Sequence, residues 1–170
     1  MTTARDGFRA VVRDDPGDLA TPCLLLAHAL SDDPDSPPDA TVAAGHAALD
    51  ALAAQVSGHD HAALLAVLGR MAGRPGDHRR LEASLLPDVL RTGHGLPILL
   101  SIVWLEVARR SGIAACGLGV PGRFLIAVGA SHEQSVAADV IAGLCTLADP
   151  FDGGSTLRID QVQEFARQAG

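Results

Sequence analysis

Gly95-Leu96-Pro97-Ile98-Leu99-Leu100-Ser101-Ile102-Val103-Trp104-Leu105-Glu106-Val107-Ala108-Arg109-Arg110-Ser111-Gly112 decides how this chain folds. From Pro97 to Ala108 only Ser101 and Glu106 interrupt the apolar side chains. A helix that is apolar on every side is buried on every side. Pro97 suits the first turn, where its missing N–H is not needed. Arg109 and Arg110 suit the C-terminus of the helix, and Gly112 stops it. The segment therefore predicts a central helix around which the remaining elements pack.

Upstream, the sequence reads as helical. Phe8, Val11 and Val12 give a weak first amphipathic turn, and Asp18 is placed to cap a helix over Leu19 to Leu30 with Pro22 in its first turn. Asp32 to Pro38 is a loop of Asp, Ser and Pro. Asp39 opens a second helix with Val42, Ala43, Leu49, Leu52 and Val56 at helical spacing, and a third runs from about His59 to Met71. Gly73-Arg74-Pro75-Gly76-Asp77 breaks the pattern. A short helix over Leu85 to Leu90 follows, ended by Thr92-Gly93-His94-Gly95.

Downstream, the character changes. Ala114 to Val120 and Phe124 to Val128 predict strands joined at Pro121-Gly122, and Val136 to Leu147 predicts one or two more with a turn at Gly143. Asp149-Pro150-Phe151-Asp152-Gly153-Gly154 is rich in turn residues. Ile159 to Gln168 predicts a closing helix with Val162 and Phe165 inward. Helices first and a small antiparallel sheet second make an α+β domain. Its 170 residues suit one domain, with a helical part over 1–92 and the core helix, sheet and closing helix over 93–170.

The formal net charge of −7 argues against a nucleic-acid partner, because an acidic surface repels phosphate backbones. Every basic residue is arginine, which excludes lysine Schiff-base chemistry and a Walker-type phosphate loop. Met1 to Asp15 has no apolar core of a secretory signal, and no apolar run is long enough for a bilayer. Cys23, Cys116 and Cys145 are widely spaced and odd in number, which suggests reduced thiols and a cytoplasmic protein.

Several site types fall away on spacing. His59 and His61 lie two apart, on different faces of a helix. His28, His46, His78, His94 and His132 have no ligand-type partner one helical turn away, so no metal site and no cofactor is expected. Gly117-Leu118-Gly119-Val120-Pro121-Gly122 has a GxGxxG spacing but lies in a strand–turn–strand segment with no helix to receive a pyrophosphate. Ser101 is inside the buried helix. Cys116 and Cys145 sit on predicted strands, away from the helix N-terminus or cation that would activate a thiol.

The segments Leu86 to Leu90, Gly95 to Ser101, Leu105 to Ile113, Gly117 to Leu125 and Asp149 to Gly154 together resemble the transglutaminase-like superfamily, in particular its SirB-type branch. Leu24 to Ala54 and Gly73 to Asp77 resemble the helical N-terminal part of that branch. The resemblance implies a papain-like core. It also implies a cysteine at the start of the central helix, a histidine base on the next strand and an aspartate to orient it. Here the cysteine position falls at Pro97, and the branch commonly lacks that cysteine too. The branch's Pro-Gly-His-Phe reads Pro121-Gly122-Arg123-Phe124. Arginine stays protonated and cannot act as a base near neutral pH. Of the triad only Asp149 remains, so a cysteine-dependent transglutaminase or protease is not expected.

By the resemblance Arg123 would stand where the histidine meets Asp149, and the two would form a charge-assisted pair. It reads either as a structural plug in a vestigial site or as part of an anion-binding pocket lined by Arg123, Asp149, Pro97 and His94. Two functions follow. One is a non-catalytic protein that binds a small anionic ligand or a protein partner, with the pair closed off from solvent. The other is a bacterial enzyme with a repurposed cleft, for instance one serving specialised biosynthesis, in which His94 and Asp149 act on a small anion and His94 or His132 stands near an open pocket.

Overall fold

A computed structural model describes residues 4–15, 17–34, 37–130 and 136–168. The helices are α1 (Ala4–Asp14), α2 (Ala20–Ala29), α3 (Asp39–Ala53), α4 (His61–Leu68), α5 (Leu86–Thr92), α6 (Pro97–Arg110), α7 (Val136–Ile141) and α8 (Ile159–Gln168). The strands are β1 (Ala115–Val120), β2 (Arg123–Val128), β3 (Thr146–Asp149) and β4 (Ser155–Leu157). They form one antiparallel sheet in the order β1-β2-β3-β4. The α+β class expected from the sequence is the one observed.

α6 is the axis of the molecule. Leu100, Val103, Trp104, Val107 and Ala108 are fully buried, and α2, α3, α4, α5, β1 and β2 all pack on the helix. The two polar residues in its apolar run are satisfied. Ser101 Oγ donates to Phe124 O at 2.9 Å. Glu106, 1% exposed, accepts from Leu19 N–H at 2.9 Å and Arg109 Nη2 at 2.8 Å, and also pairs with Arg110. Arg110 extends this network to Asp50 at 2.7 Å and to His46 Nδ1 at 2.8 Å. The helix closes at Gly112, whose φ of +68° is readily available only to glycine.

The sheet has two dressed faces. Ile126, Val128 and Ala148 face the core around α6. Ala127 and Leu147 pack on the other side with Val136 and, more peripherally, Val162. The strand expected within Val136 to Leu147 is corrected in part: Val136–Ile141 is a helix, and only its end enters β3. That stretch carries both β-branched residues and a helix-compatible Ala-Ala-Asp, so its apolar spacing does not separate the two states. Asp18 does cap α2, accepting Thr21 N–H at 2.9 Å. Asp60, which accepts Ala63 N–H at 2.9 Å, starts α4 two residues later than expected.

Candidate anion-binding site

Two strands and a turn bring Arg123 and Asp149 together. β2 and β3 pair with Ile126 opposite Ala148. Continued by one position, that register sets Leu125 opposite Asp149. Arg123, two residues from Leu125, then shares a face with Asp149 on the diagonal, within reach of a long side chain. The two form an ion pair. Asp149 is buried, while the Arg123 side chain is 42% exposed. The other oxygen of Asp149 accepts Phe151 N–H at 2.9 Å, capping a short 3-10 turn at Pro150–Asp152. The guanidinium lies 4.3 Å from the centre of the Phe165 ring in α8, a cation–π contact that fixes its other face.

The pair stands at the wall of a cavity of about 290 Å³. Leu96 and Pro97, at the N-terminus of α6, form a second wall, and Gly122 and Phe151 contribute to others. Arg74, Asp77 and His78 complete the lining. Sequence reasoning did not place these three at the site. They lie in a Gly/Pro-rich break that reads locally as a connector, and only their apposition to the Asp149–Gly154 turn reveals a role. That apposition is tight. Gly73 N–H donates to Phe151 O at 2.8 Å, and a side chain on Gly73 would overlap the Phe151 ring.

Of the residues expected at the site, Pro97, Arg123 and Asp149 meet at the cavity. His94 is not among its lining residues: its Nδ1–H donates to Ala72 O at 3.0 Å. His132 lies outside the described residues. His78 is the histidine at the cavity wall. Pro97 carries no nucleophile, and no cysteine lines the cavity. Cys23 and Cys145 both have thiols pushed above their ordinary pKa. Burial is the larger cause in each, followed by Asp18 and Glu106 for Cys23 and by Asp139 for Cys145. Among the described residues no three His, Cys, Asp or Glu side chains gather as a metal site, and no helix is long and apolar enough to cross a membrane.

Two arginines thus line the cavity. Arg74 makes no ion pair among the described residues, and Arg123 directs one of its five N–H donors to Asp149. A larger hollow of about 430 Å³ between β1 and α6 presents Glu106 and Arg109, which are paired with each other.

The sequence profile of the transglutaminase-like superfamily matches residues 43–170. A UPF0162 protein of Xylella fastidiosa strain Temecula1 is 33% identical over 109 residues, which is 62% of this chain and 35% of that protein. A UPF0162 protein of Pseudomonas aeruginosa is 46% identical over 47 residues, 28% of this chain and 17% of that protein. The chain thus spans about a third or less of the length of these relatives. No solved structure matches it. With α6 at the centre, the small antiparallel sheet beside it and the profile covering most of its length, the chain belongs to the transglutaminase-like superfamily.

Proposed function

We propose that this protein, a degenerate member of the SirB-type branch, binds a small anionic ligand and does not carry out cysteine-dependent acyl transfer. One observation carries the reading: Arg123, which by the resemblance stands where a catalytic base would be, is paired to Asp149 and borders a cavity at the N-terminus of α6. A carboxylate or phosphate in that cavity meets fixed, permanently charged donors that can engage it bidentately. A helix N-terminus adds favourable potential. With Pro97 at the nucleophile position and no thiol in the lining, there is nothing to form an acyl-enzyme.

Thermal-shift measurements against carboxylates and phosphate monoesters test this. A ligand at about a hundredfold its Kd stabilises the fold by about 2.7 kcal/mol. We expect that gain to disappear in Arg123→Ala. A ligand whose stabilisation survives the substitution would sink the reading.

The position of His78 favours a second reading, an enzyme that acts on the bound anion by proton transfer. His78 would then supply the acid–base group first assigned to His94, because an imidazole ring can both accept and donate a proton. Under this reading a stabilising ligand is turned over, and His78→Gln abolishes turnover while leaving the thermal shift in place. A ligand recovered unchanged after prolonged incubation leaves only the binding function.

A further inference from the structure

The anion reading accounts for Arg74 and Arg123 but leaves Asp77 unexplained. Asp77 is 3% exposed and lines the same cavity. Gly76 turns the chain there with a φ of +91°, so that Asp77 opens a short 3-10 turn facing inward. Asp77 Oδ2 accepts Arg74 N–H at 2.7 Å. The other carboxylate oxygen has no protein hydrogen-bond partner among the described residues, and neither arginine of the cavity pairs with it. That oxygen is not among the buried unpartnered polar atoms, so it is open to a donor that enters the cavity. A bare anion does not supply one, and close to Asp77 it is repelled.

We infer that the ligand is a small zwitterion of the aminocarboxylate class, its carboxylate held by Arg123 and its ammonium received by the open oxygen of Asp77. This rests on the anion-binding reading and refines it. The cavity has two poles: a cationic one at Arg74 and Arg123, and an anionic one at Asp77. An ammonium group donates up to three hydrogen bonds and relieves the charge of Asp77, while the carboxylate end matches the guanidinium fork. At about 290 Å³, near the lower end of the roughly 300–1,000 Å³ range of ligand sites, the cavity suits a molecule of a few carbons.

Calorimetric titration of the purified protein with glycine, β-alanine, 4-aminobutyrate and 5-aminopentanoate, each beside the carboxylate of equal chain length that lacks the amine, tests the inference. One aminocarboxylate is expected to bind about tenfold or more tightly than its amine-free counterpart, the effect of one charged hydrogen bond. Asp77→Asn keeps an acceptor for Arg74 N–H and is expected to erase that preference, weakening the aminocarboxylate and, with the repelling charge gone, strengthening its amine-free counterpart. Arg123→Ala is expected to weaken both classes. If wild-type protein binds the two classes equally, or Asp77→Asn leaves the preference intact, the zwitterion inference is overturned and the anion reading stands. If no probe of either class binds, or binding ignores Arg123, both fall. Should Asp77→Asn fail to fold, the paired wild-type titrations decide the matter alone.

Discussion

Asp18 caps α2 and is half-buried among groups that favour its ionised form. Burial alone pushes its pKa up and is the largest single effect. Hydrogen bonds from the Thr21 side chain and N–H, the charge of nearby His46 and the Ala20 N–H together outweigh it, leaving the pKa below its ordinary 3.8. A carboxylate whose pKa is lower folded than unfolded contributes stability in full above the unfolded value and loses it as pH falls through the folded one. Asp18→Ala should therefore lower stability by about 1 kcal/mol at pH 7, and the gap to wild type should narrow as pH falls below the ordinary 3.8, as read by urea unfolding across pH. The raised thiols of Cys23 and Cys145 give a second expectation. Iodoacetamide at pH 7 should modify both slowly in the native protein and quickly once it is unfolded. A fast native reaction at Cys23 would contradict the burial that shields it. At this scale the sequence reads unevenly. Arg123 and Asp149 follow from the family resemblance of the segments that hold them, and the register of β2 and β3 explains why they meet. Arg74, Asp77 and His78 do not, because nothing in their own neighbourhood states which distant turn they will face.

Among the elements, α6 is the most legible, since an unbroken apolar run has few ways to be satisfied other than full burial. What its pattern does not disclose is the partner set of Glu106, supplied by Leu19 just before α2 and by Arg109 and Arg110 in its own last turn. Glu106→Gln leaves Arg110 beside a neutral group in a nearly dry setting. The expected cost is about 3 kcal/mol, measured by chemical denaturation, because removing one member of a buried pair exposes the other's desolvation. The turn after β3 gives a sharper contrast. Gly154 has a φ of +80°, and a Cβ there would overlap the Trp104 indole; its carbonyl also accepts His61 Nε2–H at 2.9 Å. Gly154→Ala should lower stability by at least about 2 kcal/mol, whereas Gly119→Ala, with nothing within 4 Å of the added methyl, should stay within about 0.5 kcal/mol. Equal effects at the two positions would contradict the packing described.

Across the whole molecule, the helical N-terminal part and the sheet share α6 as a common wall, and Glu106 bonds directly to the chain at Leu19. One cooperative unit is expected. Trp104 is the single tryptophan, there is no tyrosine, and the indole is buried in the core and stacked on His61 with ring centres 6.0 Å apart. Its fluorescence therefore reports the core alone, while far-ultraviolet dichroism reports every helix. The two should trace the same urea transition, and separated midpoints would show that the N-terminal helices unfold on their own. The bond from Gly73 to Phe151 has a consequence of another kind. It fastens the segment bearing Arg74, Asp77 and His78 to the turn bearing Asp149, and so ties two walls of the cavity to each other. Under the binding reading proposed above, walls fastened in this way favour a guest of one length, and stopped-flow binding is expected to be a single step without a preceding closure.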